Sequence, residues 1–142
     1  MLDLSAVRDR LAAALLPVPV AGAAALAGVM EGSIRSAPAA WLVPLAESGG
    51  ANELIGALHQ QLTVTVSVLL AVRNVSDAQG DAALGELATL RRTVRDSLLN
   101  WTPADLPGGE PFRFLRGGLL SFANAIVWWQ DQFQVRYTLR AT

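Results

Sequence analysis

The sequence predicts an α+β fold: an antiparallel β-sheet with a long hairpin, packed by one long and one or two shorter α-helices. Three observations predict it. Apolar and polar residues alternate over residues 62–73, as in a strand with one face in the core, and they alternate again over residues 127–140. Between them, apolar residues recur at helical spacing over residues 83–98. A length of 142 residues favours a single domain, residues 1–142.

The first thirty residues predict a helix, a short strand and a second short helix. Asp3 or Ser5 can cap the first helix and Pro17 ends it. A strand is expected over residues 18–21 and a short helix over 22–31, although two glycines weaken the helical signal. Apolar residues of the first helix recur at three- and four-residue steps: Leu4, Val7, Leu11, Ala14 and Leu15.

The run from Leu11 to Met30 contains no charged residue, so a membrane helix or a signal peptide has to be considered. Pro17 and Pro19 interrupt its middle, and Ala and Gly, which insert weakly into membranes, fill its second half. We therefore predict elements packed in the core of the domain.

The middle of the chain predicts a strand pair followed by the long helix. Residues 39–47 form a strand in which Pro44 favours a sheet edge, because proline donates no ladder hydrogen bond. A loop is expected from Ser48-Gly-Gly50. The second strand runs from His59 to Val75, and residues 76–79 (Ser-Asp-Ala-Gln) have the form of a capping box before the helix.

The C-terminal third predicts a meander. Residues 102–109 are expected to form a loop. Two strands, residues 112–115 and 119–122, would be joined by a turn at Gly117-Gly118, and the long terminal strand would follow.

The terminal strand carries two residues that its alternation does not explain. Asp131 falls on the apolar face, where an unpaired carboxylate would cost several kcal/mol. It is expected either at a solvated bulge or paired with an arginine across a subunit boundary. Trp128 falls on the polar face, where it is either covered by the long helix or a loop, or an interface anchor.

The strands are long for the size of the protein. Residues 59–75 would reach about 55 Å when extended, whereas a globule of this length has a diameter of roughly 37 Å. Residues 125–140 raise the same problem. The strands must therefore bend, bulge or extend beyond the body, and a projecting hairpin normally pairs with another subunit or avoids pairing through charge.

The sequence contains few of the residues and motifs that catalysis needs. We therefore predict that the protein is not an enzyme and holds no metal or cofactor. The chain has no cysteine and one histidine, His59. Its Gly-rich segments match neither a phosphate-binding loop nor a dinucleotide fingerprint and are interpreted as turns. Arg91, Arg92 and Arg95 are interpreted as a solvated helix face rather than a phosphate or partner site.

Charge gives no sign of nucleic acid or of an acidic membrane as a partner. The formal net charge is −1, and only 16% of residues are charged, against about 25% in typical domains. A surface this apolar often belongs to a subunit that hides part of it in an assembly.

Seven segments follow one another in a distinctive order. They are residues 7–11 (Val-Arg-Asp-Arg-Leu), 38–45 (Pro-Ala-Ala-Trp-Leu-Val-Pro-Leu), 50–52 (Gly-Ala-Asn), the strand 60–75, 98–103 (Leu-Leu-Asn-Trp-Thr-Pro), 116–118 (Arg-Gly-Gly) and 128–133 (Trp-Trp-Gln-Asp-Gln-Phe). Together they resemble the tail terminator (tail completion) proteins of long-tailed bacteriophages. The order and spacing of the segments carry the resemblance more than any single motif, and Asn100 stands where the family often has glycine.

This resemblance implies a virion structural protein that is assembled in the host cytoplasm and resides in the neck region of the tail. Such proteins form a ring, generally a hexamer, at the head-proximal end of the tail tube. The ring ends tube polymerisation and presents a surface to the head completion proteins. The implied partners are copies of the chain, the tube protein and a head completion or neck protein, with no sequence-specific nucleic acid and no membrane.

Alternatives are another neck component, such as a head-tail adaptor, or a tail tube protein. A small ligand-binding domain or enzyme would need a pocket with converging polar groups, and the sequence assembles none. For the subunit and tube interfaces we predict eight residues: Asn52, Glu53, His59, Gln61, Arg73, Trp128, Asp131 and Arg136.

Overall fold

A computed structural model describes residues 2–30, 37–73, 81–123 and 125–141. These ranges form three helices and one five-stranded sheet, so the α+β prediction is confirmed. The elements in chain order are α1 (Leu4–Leu15), β1 (Val20–Gly22), α2 (Ala23–Met30), β2 (Ala39–Asn52), β3 (Leu58–Arg73), α3 (Asp81–Leu98), β4 (Arg113–Ala123) and β5 (Ile126–Ala141).

The sheet has the strand order β1-β2-β3-β5-β4. Short β1 runs parallel to β2, and the other three pairings are antiparallel, so the sheet is mixed. β3 and β5 pair without a register shift from Leu58–Ala141 to Arg73–Ile126. They form the central axis of the fold.

One face of the sheet, called here the covered face, packs against α1 and α3. Directly opposed residues of neighbouring strands share a face, and this face takes the even-numbered residues of β3 and the odd-numbered residues of β5. Val66, Leu70 and Phe133 are fully buried there against Leu11 and Val94 of the helices. The amphipathic patterns of the helices and of β3 therefore meet in the main core.

The other face, called here the open face, has a smaller core at one end. α2 lies over this end, where Leu26 contacts a cluster that contains Trp41, Leu69 and Ile126. Beyond Trp128, the open-face residues of β5 are polar, from Gln130 to Arg140.

α1 begins as its sequence predicts. Asp3 is the N-cap, and its carboxylate accepts a hydrogen bond of 2.9 Å from the backbone N–H of Ser5, which satisfies one of the free helix-end donors. The helix ends at Leu15, before Pro17. The capping box at residues 76–79 lies outside the described residues. None of the helices in the described ranges has the length and apolarity needed to cross a membrane.

Two predicted turns are wrong, and both were inferred from glycine pairs. Ser48-Gly-Gly50 lies inside β2, which continues to Asn52 with register shifts between Pro44 and Ala46 and between Gly49 and Asn52. Gly117-Gly118 lies inside β4, which is one continuous strand. In β4 the glycine provides space, because a Cβ at position 117 would collide with the Asp131 carboxylate.

Candidate functional site: two open edges and the hairpin tip

The sheet ends on opposite sides in two edges that are open among the described residues. β1 pairs only with residues Ala40–Leu42 of β2, so β2 has an open outer edge from Val43 to Asn52. β4 forms the other edge, since among the described strands it pairs with β5 alone. Pro44 is confirmed in an edge position, where its missing N–H removes no ladder hydrogen bond.

β4 is unusually apolar for an edge strand. Charges on edge strands normally prevent unwanted pairing, but residues 117–123 carry none. Its exposed large apolar side chains, called here the β4 edge surface, are Phe114, Leu115, Leu119, Leu120 and Phe122.

This surface was missed in the sequence, where residues 112–122 were interpreted as two short strands of a meander. Its apolar, uncharged composition was visible there. Its exposure depends on the position of β4 at the end of the strand order.

The hairpin tip, residues 52–58, is ordered by Asn52. The Asn52 amide nitrogen donates to the carbonyl oxygens of Leu54 (2.9 Å) and Ala57 (3.0 Å), and its oxygen accepts from the backbone N–H of His59 (2.8 Å). The tip therefore presents Leu54 and Ile55 to solvent on a loop with a defined shape. Exposed apolar side chains held in this way are typical of a contact surface.

Three more predicted residues lie near Asn52. The Glu53 carboxylate is 3.1 Å from Nδ1 of His59, and both groups are partly exposed. Gln61 is exposed on β3, opposite Thr138 of β5. The structure thus brings Asn52, Glu53, His59 and Gln61 together at one end of the sheet.

The other four predicted residues do not join this group. Arg73 lies at the opposite end of β3 and is exposed. Arg136 lies on the open face of β5 and is half-buried. Trp128 stacks on Trp41 with ring centroids 5.1 Å apart, in the small core below α2. Trp128 is therefore half-buried within the fold, and the small core that it joins lies under α2 and not under the long helix.

Asp131 occupies neither of its two predicted environments. Its side chain is fully buried, and it accepts two hydrogen bonds of 2.9 Å from Arg91 of α3 in the same chain. The indole N–H of Trp129 donates a third of 3.0 Å, and the Arg91 guanidinium lies 4.4 Å from the Trp129 ring centroid. A bidentate charge-assisted pair with a third donor satisfies the carboxylate, so the residue anchors the helix to the sheet.

The arginine stripe of α3 also differs from its interpretation as a solvated face. Arg91 binds Asp131, and Arg95 lies 4.8 Å above the ring of Phe114. Only Arg92 of the three is exposed. The stripe therefore packs on the sheet through its first and last members.

Tyr137 is another ionisable residue of the covered face. Burial raises the pKa of the Tyr137 hydroxyl above its ordinary value, and the nearby Glu47 carboxylate adds to the rise. Tyr137 is therefore neutral at physiological pH and acts as a core residue. Among the described residues no three potential metal-ligating side chains come together.

Comparison with known proteins decides the family. The whole sequence, residues 1–142, matches the family described as phage tail terminator protein. The chain belongs to the phage tail terminator family. The resemblance inferred from the segment order is therefore confirmed, and the protein is a structural component of a phage tail.

One solved structure shows a similar fold. It is described as the virion of a native gene transfer agent (GTA) particle, and its matching chain has a TM-score of 0.50 at 18% identity. The match covers 95% of this chain and 93% of that chain. At this identity the likeness concerns the fold alone. No match was found among curated protein sequences.

Proposed function

We propose that the protein forms a six-membered ring at the head-proximal end of the tail tube. The ring ends tube polymerisation and offers a joining surface to the head completion proteins. Family membership supports this role. The observation that carries the ring itself is the pair of open edges on opposite sides of one sheet, one of which is the β4 edge surface.

The strand directions suit an edge-to-edge joint. Because β2, β3, β5 and β4 alternate in direction, the β4 edge of one copy would meet the outer β2 edge of the next in antiparallel orientation. The contact uses different surfaces on the two partners, and such heterologous contacts close into a ring when the rotation between copies closes.

The available surface is large enough for two such contacts. A standard interface hides about 800 Å² on each partner, so two neighbours would cover about a fifth of the 7982 Å² of accessible surface. The β4 edge surface would supply the apolar core of each joint, with polar residues around it.

The hairpin tip is assigned to the tube. In this proposal the hairpin tips of all copies lie on one face of the ring. That face binds the last ring of tube protein in the way that a further ring of tube protein would bind it. The opposite face lacks this surface, so growth ends. Leu54 and Ile55 are the apolar anchors of the contact, since both are exposed on a loop that Asn52 holds in shape.

The test replaces both anchors, Leu54→Ser with Ile55→Ser, and images tail tubes assembled with each protein by negative stain. Wild-type protein should cap tubes at one end and hold their length, whereas the variant should leave tubes uncapped and longer. The matched control, Leu16→Ser with Leu84→Ser, removes two exposed leucines from the helical side and should behave as wild type.

Three results would count against parts of this proposal. Normal capping by the tip variant would remove the tip from the tube contact. Tubes formed by the wild-type protein alone would identify a tube protein, and failure of the wild type to cap any tube would remove the terminator role.

A further inference from the structure

We propose that the open face of the sheet is a binding surface for the phosphate backbone of nucleic acid, without sequence specificity. The inference goes beyond the capping role and rests on how charge is distributed over the two faces of the sheet. Four arginines form the surface, called here the basic face: Arg113 and Arg116 of β4, and Arg136 and Arg140 of β5.

Strand register places these four arginines on one side. Arg113 is opposite Gln134, and Arg116 is opposite Gln132. Gln132, Gln134, Arg136 and Arg140 share a face because they alternate along β5. Projected onto β5, the four arginines lie at the positions of residues 132, 134, 136 and 140. They therefore form a row about 27 Å long at the usual rise of a strand.

The carboxylates of the sheet lie on the opposite face. In the described parts of β2 to β5 the acidic residues are Glu47 and Asp131. Glu47 is opposite Val64, and Asp131 is opposite Val68, which are both covered-face positions. The open face of these strands therefore carries no carboxylate of the strands themselves, and Glu53 of the hairpin tip contacts His59 opposite Arg140 at one end of it.

The helices on the other side of the sheet carry mixed charge. α1 and α3 pack against the covered face and have five arginines and four carboxylates between them. The basic face differs in that its charged residues are arginines alone. Local potential, and not net charge, guides a polyanion to a surface.

The arginines of the basic face are positioned but not neutralised by carboxylates of the strands. Arg113 donates a long hydrogen bond of 3.4 Å to Gln134, which in turn donates to Thr65 at 3.1 Å. Arg136 is half-buried, and its Nε is a buried atom without a hydrogen-bond partner within the described residues. Guanidinium groups held by neutral neighbours keep their charge available for phosphate.

The composition of the surface favours nucleic acid over an acidic protein. Protein interfaces are organised around apolar or aromatic anchors, and Trp128, the aromatic residue of the open face of β5, is stacked below α2. Arg, Gln and Thr donors are the groups that contact phosphates in protein–DNA interfaces, which are more polar and more positive. A duplex offers one negative charge per about 1.7 Å of its length, so a row of this extent meets many phosphates.

The experiment measures binding of short duplexes of two unrelated sequences to the full-length protein by fluorescence anisotropy over a series of salt concentrations. We expect equal affinity for both sequences. Each phosphate contact contributes about 0.9 to the slope of log affinity against log salt. The variant Arg113→Gln with Arg116→Gln should therefore reduce the magnitude of that slope by about 1 to 2.

The control makes the same change of net charge elsewhere. Arg8→Gln with Arg92→Gln removes two exposed arginines of α1 and α3 and should leave the slope unchanged. Equal slopes for the basic-face variant and wild type, or no binding by wild type at low salt, would overturn the proposal. Competition by polyglutamate as effective as competition by unlabelled duplex would assign the face to an acidic protein instead. Binding is measured without tail tubes, so its failure is separate from failure of the capping role.

Discussion

The two faces of β5 show how one strand serves two purposes. On the covered face, the single charged residue is Asp131, which is fully buried and bound by Arg91. On the open face, Arg136 and Arg140 remain at or near the surface. The difference teaches that the covered-face charge belongs to the fold, whereas we expect the open-face charges to be dispensable for folding and available for a partner.

Removal of the buried carboxylate tests the first half of this comparison and has the largest expected effect. Asp131→Ala would leave the Arg91 guanidinium and the Trp129 indole N–H without their acceptor. Breaking a buried ion pair in this way costs about 3–5 kcal/mol. Urea denaturation should show this loss in the free energy of unfolding, while Arg92→Ala on the exposed side of α3 should change it by less than about 0.5 kcal/mol. A loss below about 1 kcal/mol for Asp131→Ala would show that the pair is not an anchor.

Two adjacent glycines of β4 sharpen the comparison, because they lie on opposite faces. Gly117 is opposite Asp131, and an added Cβ would collide with the carboxylate and crowd Arg91. Gly118 is opposite Gln130, and an added Cβ would meet no atom within 4 Å. Gly117→Ala should destabilise the protein by about 1–3 kcal/mol, whereas Gly118→Ala should change stability by less than about 0.5 kcal/mol. Equal effects in thermal or urea unfolding would contradict the assignment of the faces.

The smallest stability effect is expected on the open face. The variant Arg113→Gln with Arg116→Gln changes exposed side chains, so its free energy of unfolding should stay within about 0.5 kcal/mol of wild type. Its loss of salt-dependent duplex binding would then be a surface effect. A large loss of stability would instead make these arginines part of the fold.

The elements with strong periodicity were predictable from sequence, and the exceptions have identifiable causes. β3 and α3 follow their patterns because burial of one face decides both the element and its orientation. The glycine pairs at residues 49–50 and 117–118 were misread as turns, because the need for space beside another side chain leaves no local signal. Gly117 is required by a carboxylate fourteen residues later in the chain.

The candidate sites were predictable only where they are local in sequence. Asn52, Glu53, His59 and Gln61 lie together at the hairpin end of the sheet because they come from one short segment. Their role in an interface stays a prediction. The partner of Asp131 lies forty residues away, and the sequence indicated only that a buried carboxylate needs one. The β4 edge surface and the basic face depend on strand order and register, which a pattern within one strand does not contain.

The most direct test of the ring asks whether the two open edges meet between copies. The chain has no cysteine, so Ala46→Cys on β2 and Arg113→Cys on β4 would introduce the only thiols. Both residues are exposed, and both lie at the position of Gln134 along the sheet. With a short flexible bis-maleimide, the assembled double variant should give a ladder of covalent species that stops at six chains. Each single variant should remain uncrosslinked. Absence of the ladder in the double variant, or efficient dimers from a single variant, would contradict a ring closed through β4 and β2.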